Sequence, residues 1–199
     1  MNTGILSVQG NFSEHFNALK KNGFGNVVFV KEKKDFKKLD FLIIPGGEST
    51  SIMRQIDYYD LRESINDFYN SGNYIWGTCA GMIVISKEIT EFNRFVPLNL
   101  IDITVSRNFF GSQIRSFTAY ENIKYISGKT EMKFIRAPVI EKYGNSVEVL
   151  SVVSGHTVAA KTERILVTSF HPEISSDNTM FYDFLKNNFI GNAENKLQD

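Results

Sequence analysis

The chain has 199 residues, of which 42% are hydrophobic and 22% are charged, and 22 basic side chains balance 22 acidic ones. This composition is typical of a folded globular protein and excludes the disordered, collagen-like and low-complexity classes. Because there is no basic excess, a nucleic-acid binder is not expected. The longest apolar runs, such as Phe41–Ile44 and Met82–Ile85, are far shorter than the roughly 18 residues of a membrane span.

Cysteine and histidine are scarce in this chain. The single cysteine, Cys79, cannot form an internal disulfide, so a reducing, cytoplasmic location is the simplest expectation. The segment Met1–Gly10 carries neither the charge nor the long apolar stretch of a secretion signal. Cys79 and the histidines His15, His156 and His171 lack the paired spacing of zinc ligands, so we expect no metal. Taken alone, Cys79 is either a buried small side chain or a nucleophile, and the first is the commoner case.

Segments of strand and helix character alternate through the first half of the chain. Apolar or β-branched runs predict strands, and apolar residues at helical spacing predict helices. The predicted elements are a strand at Gly4–Val8, a helix capped by Ser13 and ended by Asn22-Gly23, a strand at Asn26–Val30, a solvated Lys-rich connector at Lys31–Lys38, a strand at Phe41–Ile44, a helix with Leu61, Ile65, Phe68 and Tyr69 on one face, a strand at Tyr74–Trp76 and a helix at Met82–Glu88.

The second half is richer in alternating, β-type segments. Its predicted elements are strands at Ile101–Val105, Met132–Ile135 and Val147–Val153, a hairpin turn at Ser154-Gly155, a strand at Ile165–Phe170, a closing helix with Phe181, Phe184, Leu185 and Phe189 on one face, and a frayed tail at Asn192–Asp199. The order predicts one α/β domain over residues 1–199, with a three-layer, mainly parallel sheet, helices on both faces and an antiparallel β extension. Sites in such sheets form beyond the carboxyl ends of strands.

One strand end carries the pattern Gly77-Thr78-Cys79-Ala80-Gly81. Glycines two before and two after a cysteine, between an apolar strand and an apolar helix, have the spacing of a nucleophile elbow. The glycines are needed because side chains there would collide with neighbouring backbone. We expect the helix N-terminus to stabilise a Cys79 thiolate, and the Ala80 amide to face a developing oxyanion. The paired glycines favour a nucleophile over a packing cysteine.

A second strand end reads Phe170-His171-Pro172-Glu173. A thiol nucleophile needs a base, and the base needs a partner that fixes its orientation. A turn at Pro172 would place His171 and Glu173 on one side. By itself this segment is equally compatible with the capped start of a helix, but together with the elbow it predicts a Cys-His-Glu triad.

A third strand end carries Pro45–Thr50, with two adjacent glycines. Glycines let backbone approach a ligand closely, and the Gly47 amide is a second candidate oxyanion donor. The alternative is a simple turn in which Ser49 or Thr50 caps a helix. The spacing is not that of a P-loop, and Gly23-Phe24-Gly25 lacks the third glycine of a dinucleotide fingerprint, so no cofactor is expected.

These three strand ends together resemble the class I, or triad, glutamine amidotransferases, which have a flavodoxin-like sheet. Within that superfamily the chain is most similar to the family of glutaminase subunits of pyridoxal 5′-phosphate synthase. The residues that carry this resemblance are Leu6-Ser7-Val8-Gln9-Gly10, Pro45–Thr50, Gly77–Ile83, Arg107-Asn108, Phe110-Gly111, Gln113, Ser116-Phe117, Phe134-Ile135-Arg136-Ala137-Pro138 and His171-Pro172-Glu173.

The resemblance implies hydrolysis of L-glutamine to glutamate and ammonia, which would pass to a separate synthase (lyase) subunit in a hetero-oligomer. It implies that Cys79 forms a glutamyl thioester, that His171 is the base and that Glu173 orients it. It also implies that glutamine, with one carboxylate and one ammonium group, is held by the segment Gly47-Glu48-Ser49, by Arg107 and by Ile135-Arg136.

Two positions depart from the family pattern. Thr118 stands where an acidic residue is frequent, and Ser112 stands where a basic one is common. Neither belongs to the expected triad. Two other interpretations remain open: a different amidotransferase or stand-alone cysteine hydrolase of the same fold, and a catalytically silent subunit that regulates a partner. The family blocks argue against the first, and the intact Cys79, His171 and Glu173 argue against the second.

Overall fold

The computed structural model describes residues 1–107, 109 and 116–191. Strands alternate with helices up to the fourth strand, and a largely β segment follows. The strands of the described residues are β1 (Asn2–Leu6), β2 (Asn26–Val30), β3 (Phe41–Ile44), β4 (Tyr74–Thr78), β5 (Ser86–Ile89), β6 (Ile101–Ser106), β7 (Ser116–Asn122), β8 (Lys129–Ile135), β9 (Val139–Tyr143), β10 (Glu148–Val153), β11 (His156–Lys161) and β12 (Ile165–Thr168).

The helices lie between strands of the first half and at the end of the described chain. Short 3-10 turns occur at Lys33–Phe36 and Pro172–Ile174. The α-helices are α1 (Phe12–Lys21), α2 (Ser49–Tyr58), α3 (Arg62–Asn70), α4 (Ala80–Ile85) and α5 (Thr179–Phe184), and α5 continues as a π-helical segment, Leu185–Ile190. Among the residues that the structure describes, no helix has the length and apolarity needed to cross a membrane.

Five strands form the parallel half of the main sheet, in the order β2-β1-β3-β4-β12. The strands β3 and β12 are buried along their whole length, as expected where helices cover both faces. The order reverses between β1 and β3, and ligands of open α/β sheets bind beyond the carboxyl ends of strands at such a switch point. The fold therefore directs attention to the residues that follow β1, β3, β4 and β12.

The antiparallel extension comprises β5–β11. Strands β11, β9, β6 and β5 continue the main sheet beyond β12, β10 pairs with β11, and β7 and β8 form a separate two-stranded sheet. Most of these pairings are antiparallel, although β5 and β6 run parallel. The three-layer α/β sheet with an antiparallel extension is thus confirmed.

The hydrophobic core has two parts, one on each face of the main sheet. Alternate residues of one strand point to opposite faces, so Leu42 and Ile44 join one part while Phe41 and Ile43 join the other. Helices α2, α3 and α4 cover the first face, and α1 and α5 cover the second. The sheet therefore has a different helical layer on each side, and its strand ends are left open.

Several local predictions are corrected. The first strand begins and ends two residues earlier than Gly4–Val8, and α1 is preceded by Asn11 rather than capped by Ser13. The helix predicted over Met82–Glu88 ends at Ile85, since the hydroxyl of Ser86 donates to the Ile83 carbonyl at 2.8 Å and the chain turns into β5.

Other differences concern elements that the sequence pattern did not distinguish. Helix α2 was expected only under the alternative in which Ser49 or Thr50 caps a helix, and the Lys-rich connector Lys31–Lys38 contains a 3-10 turn. The hairpin turn at Ser154-Gly155 is confirmed, with positive φ at both residues between β10 and β11. The tail Asn192–Asp199 lies outside the described residues.

Candidate active site

Cys79 occupies the sharp turn between β4 and α4. Its φ of 49° and ψ of −105° are a strained combination for a residue with a side chain. The backbone is held there because the Cys79 amide donates to the Thr168 carbonyl at 2.7 Å, at the end of the neighbouring strand β12. This is the geometry of a nucleophile elbow, which fixes a side chain at the top of the sheet.

The glycines around Cys79 are required by close packing. A Cβ atom on Gly81 would lie 1.9 Å from the Ile44 carbonyl oxygen, and one on Gly77 would lie 2.9 Å from the backbone of Gly81. Both distances are shorter than real Cβ contacts, so the expected collision with neighbouring backbone is confirmed. The elbow thus depends on the close approach of Gly81 to the end of the neighbouring strand β3.

His171 lies three residues beyond β12, and its amide donates to the Lys133 carbonyl at 2.9 Å. The 3-10 turn that follows brings Glu173 back beside the ring, with Glu173 Oε1 2.7 Å from His171 Nδ1. His171 and Cys79 line the same cavity, and Cys79 interacts with the ring closely enough to raise its pKa. The imidazole therefore lies between the thiol and the carboxylate, in the order that a Cys-His-Glu triad requires.

The charges of this trio support one another. Burial alone would lower the pKa of His171, but its interactions with Cys79 and Glu173 outweigh burial and raise that pKa to about 10. Burial alone would raise the pKa of Glu173, but His15 and His171 outweigh it and lower that pKa. The arrangement thus favours an ionised Glu173 beside a histidine that accepts a proton readily.

A second histidine lies behind the trio. His15, fully buried on α1, has its Nε2 atom 3.0 Å from Thr78 Oγ1 and 3.6 Å from Glu173 Oε1. Its ring meets the Trp76 ring edge-on, with 5.1 Å between centroids. Burial lowers the pKa of His15, although the charge of the Glu173 carboxylate opposes that shift. With its proton on Nε2, the ring donates to Thr78 Oγ1.

The turn after β3 packs against the histidine. A Cβ atom on Gly46 would lie 2.5 Å from Cε1 of His171, so a larger residue would displace the ring. The amide of Glu48 donates to the side-chain Oε1 of Gln9 at 3.2 Å, which ties the turn to the end of β1. Gly47 lies between these two anchors, within the cavity described below.

Glu48 caps the N-terminus of helix α2 and forms an ion pair with Arg107. Its carboxylate accepts hydrogen bonds from the amides of Thr50 and Ser51 at 3.0 and 2.7 Å and lies 3.2 Å from Nη2 of Arg107. Burial alone would raise the pKa of Glu48, but these contacts outweigh it and lower that pKa. The helix cap is therefore Glu48, not Ser49 or Thr50 as the simple-turn alternative proposed.

Arg107 follows β6 and is placed by two contacts. Besides pairing with Glu48, its guanidinium lies over the Phe92 ring at 4.3 Å from the centroid. On the opposite side, Ile135 and Arg136 follow each other at the end of β8, and Cys79 Sγ lies 3.8 Å from the Ile135 carbonyl oxygen. Arg136 adopts a positive φ of 45°, which turns the chain away from the strand.

These residues surround one open cavity of about 800 Å³. Of the site residues expected from the sequence, the cavity is lined by Cys79, His171, Gly47, Glu48, Ser49, Ala80, Arg107, Ile135 and Arg136. Glu173 lies behind His171, as an orienting residue would. Among the described residues, no cluster of three or more histidine, cysteine, aspartate or glutamate side chains is arranged to hold a metal ion.

Sequence reasoning missed the contribution of helix α1. Asn11 and His15 both approach Glu173, and Gln9 anchors the turn after β3. In the sequence, Gln9 belongs to a block that resembles the family, and His15 lacks the spacing of a zinc ligand. Their positions after β1, at the switch point of the sheet, were the available signal. The expected family positions Asn108, Phe110-Gly111 and Gln113, and the departure at Ser112, lie outside the described residues.

Comparison with known proteins agrees with this geometry. A model of the SNO glutamine amidotransferase family matches residues 5–191. The chain belongs to this family. The resemblance drawn from the sequence is therefore confirmed, and so is the glutamine amidotransferase class.

Relatives in the family are similar over almost the whole chain. The pyridoxal 5′-phosphate synthase subunit PdxT of Niallia circulans is 43% identical over 185 residues, 93% of this chain and 96% of the relative. The subunit of the same name from Clostridium beijerinckii is 42% identical over 191 residues, 96% of this chain and 100% of the relative.

Solved structures show the same fold. A crystal structure of a glutamine amidotransferase superimposes with a TM-score of 0.88 at 34% identity, over 96% of this chain and 100% of the other. The structure of PurLQS from Thermotoga maritima shares the fold at a TM-score of 0.61 and 14% identity, over 94% of this chain and 97% of the other.

Proposed function

We propose that this chain is the glutaminase subunit of a pyridoxal 5′-phosphate synthase, which hydrolyses L-glutamine to L-glutamate and ammonia. The observation that carries the proposal is His171, which is hydrogen-bonded to Glu173 and lines one cavity of about 800 Å³ together with Cys79. Membership of the family and the PdxT relatives at 42–43% identity support it.

The first half of the reaction forms a thioester. His171 accepts the proton of the Cys79 thiol, and the sulfur attacks the side-chain amide carbon of glutamine. The negative oxygen of the tetrahedral intermediate is stabilised by the amides of Gly47 and Ala80, and each such donor contributes about 3–4 kcal/mol in related sites. His171 then gives its proton to the leaving nitrogen, the C–N bond breaks, and ammonia departs.

The second half releases glutamate. Water attacks the glutamyl thioester while His171 accepts its proton, and the C–S bond breaks to restore the Cys79 thiolate beside a protonated His171. Glu173 keeps the imidazole oriented and stabilises its positive charge throughout. The carbonyl carbon is thus attacked twice, first by the Cys79 sulfur and then by water, with the same three side chains taking part in both halves.

Binding of glutamine uses the opposite wall of the cavity. The free amino acid carries an α-carboxylate and an α-ammonium, so the site needs a cation and an acceptor at some distance from the thiol. Arg107 and Arg136 supply positive charge, and Glu48 supplies negative charge. The segment Gly47-Glu48-Ser49 and the backbone of Ile135 complete the proposed contacts.

The product ammonia passes to a partner. We propose a hetero-oligomer with a synthase (lyase) subunit that builds the cofactor from pentose and triose phosphates. The chain acts as a single domain in this assembly, in the cytoplasm, where a reducing environment keeps Cys79 as a thiol. The chain itself requires no cofactor for hydrolysis, since the thiol, the imidazole and the carboxylate supply every proton and electron pair.

The test is glutamate release from glutamine, measured with and without the cognate synthase subunit. We expect turnover that the synthase stimulates and that Cys79→Ala abolishes, while folding and synthase binding persist, because the change removes one sulfur atom. Appreciable turnover by Cys79→Ala would contradict the nucleophile assignment. No release by the wild-type complex, with both proteins folded and associated, would instead favour a catalytically silent role.

A further inference from the structure

The residue that precedes helix α1, Asn11, does not act as an ordinary helix cap. Asparagine is among the most favourable residues at this position, because its side-chain oxygen accepts a hydrogen bond from the first turn. Here Asn11 occupies the N-cap position, yet its side chain makes no capping hydrogen bond. The side chain therefore has another use.

The Asn11 side chain instead contacts two residues of the proposed triad. The Asn11 side-chain amide nitrogen donates a hydrogen bond to Oε1 of Glu173 and lies 3.3 Å from Nδ1 of His171. A carboxylate only accepts hydrogen bonds, so the amide must present its N–H₂ to Glu173. The same oxygen accepts from His171 at 2.7 Å. Two donors thus converge on a single carboxylate oxygen.

The other oxygen of the carboxylate is less restrained. Within the described part of the chain, the buried Oε2 atom of Glu173 has no hydrogen-bond partner. With His171 alone as its partner, the carboxylate would be free to rotate and exchange its two oxygens. The bond from Asn11 opposes this rotation, and His15, 3.6 Å from Oε1, supports the same orientation.

The backbone of Asn11 is itself anchored. Its amide donates to the Gly46 carbonyl at 3.1 Å, and its side-chain oxygen lies against Gly46, 3.0 Å from where a Cβ atom would be. Gly46 in turn packs on the ring of His171. Asn11 is therefore fixed on one side by the turn after β3 and on the other by Glu173.

We propose that Asn11 is a positioning residue for this site: its side-chain amide holds the Glu173 carboxylate in the orientation that aligns His171 with Cys79. The inference rests on the proposed glutaminase function for its kinetic consequence. Asn11 acts through Glu173 and does not touch the reacting atoms.

The main test compares Asn11→Ala with Asn11→Asp in the complex with the synthase. Asn11→Ala removes the donor, so we expect kcat to fall about tenfold, as for loss of one hydrogen bond to a charged group, and KM to change less than twofold. Aspartate caps helices as well as asparagine but has no N–H to donate. Asn11→Asp should therefore lose at least as much kcat as Asn11→Ala.

A matched control lies after helix α3, outside the cavity lining. The Asn73 side-chain amide donates to the Phe68 carbonyl at 3.1 Å, and Asn73 does not line the cavity. Asn73→Ala should keep the wild-type kcat even where it lowers the melting temperature. Wild-type kcat in Asn11→Asp, or an Asn11→Ala effect confined to KM, would overturn the proposal.

Two further measurements do not depend on how well the aspartate variant folds. In a Glu173→Ala background, Asn11→Ala should cause no additional loss of kcat, whereas a full further tenfold loss would contradict action through Glu173. Alkylation by iodoacetamide reports on Cys79 alone, the single cysteine, and needs neither glutamine nor synthase. Asn11→Ala should slow it severalfold at neutral pH, and an unchanged rate would contradict the proposal.

The kinetic and alkylation measurements distinguish failure of the proposed glutaminase function from failure of the positioning role of Asn11. Slower alkylation in Asn11→Ala together with no glutamate release by the wild-type complex would reject the proposed function and keep the positioning role. Normal release by the wild type, with equal kcat and equal alkylation rates in Asn11→Ala, would do the reverse.

Discussion

The parallel half of the sheet and the antiparallel extension contribute differently to the site. Cys79, His171 and Glu173 come from the ends of two neighbouring parallel strands, and all three are buried. Arg107 and Arg136 come from the extension, where the first is partly buried and the second is exposed. Groups that form and break bonds need fixed geometry and low dielectric, whereas groups that bind a charged amino acid must face solvent to meet it. The division suggests that the two regions control different kinetic constants.

The largest effects are expected in the parallel half. His171→Asn removes the proton acceptor and should lower kcat about a thousandfold. Glu173→Ala removes only orientation and charge stabilisation, so we expect a smaller loss, about a hundredfold. Steady-state kinetics of both variants, with circular dichroism to verify folding, would measure the difference. Equal losses with preserved structure would indicate that His171 and Glu173 act as one inseparable unit.

An intermediate effect is expected where the extension meets the cavity. Arg107→Met keeps much of the packing on Phe92 but removes the cation, so KM for glutamine should rise about tenfold or more while kcat changes little. The matched control is Arg164→Met, because the Arg164 guanidinium lies over the Tyr69 ring at 4.7 Å and outside the cavity. A loss confined to kcat in Arg107→Met would show that the two regions are not separated in this way.

The smallest effect is expected deep in the extension. Glu148 accepts hydrogen bonds from Lys124 and from Tyr125 and pairs with Lys161 at 3.2 Å, which lowers its pKa to about 2. A carboxyl whose pKa is lower in the folded state stabilises the protein above its ordinary pKa, and that stability is lost as pH falls towards 2. Because this cluster is partly exposed, Glu148→Gln should cost about 1 kcal/mol of unfolding free energy at pH 7.

Urea unfolding at pH 7 and at pH 2 would test that prediction. The difference between Glu148→Gln and wild type should be mostly lost at pH 2, where the carboxyl is about half protonated in the folded protein and almost fully protonated in the unfolded one. Glutaminase kcat and KM should be unchanged at pH 7. A change in kcat would mean that the extension influences the chemistry beyond binding.

The same contrast between the regions governs how well the sequence predicted the fold. Strand β3 was predicted with its observed bounds, because a strand buried on both faces is a continuous apolar run between turn signals. Strand β2 is a partly exposed edge strand, and its β-branched and aromatic residues were enough to predict its bounds. In the extension, β7 alternates between exposed and half-buried residues and was not predicted as a separate strand. Its pairing with β8 depends on partners distant in sequence, which local patterns do not contain.

Two helices of the first half were predicted poorly, also because distant partners decide their bounds. The apolar run Met82–Ile85 suited a helix, and the residues after it could have continued that helix or formed a strand. These residues form strand β5 because they pair with β6, which contacts Ser86 and Ile89. Helix α2 begins at a glutamate cap that also binds Arg107, and no local pattern indicated either role.

What the sequence determined by itself was the set of strand ends where chemistry was to be sought. The spacing of Gly77, Cys79 and Gly81 and the pair His171 and Glu173 are local patterns, because a tight turn imposes its residue types on the chain that makes it. The tertiary structure alone decided that Asn11 and His15 approach Glu173, and that Arg107 pairs with Glu48. These contacts join residues far apart in the chain, and only the order and direction of the strands bring them within hydrogen-bond or ion-pair distance.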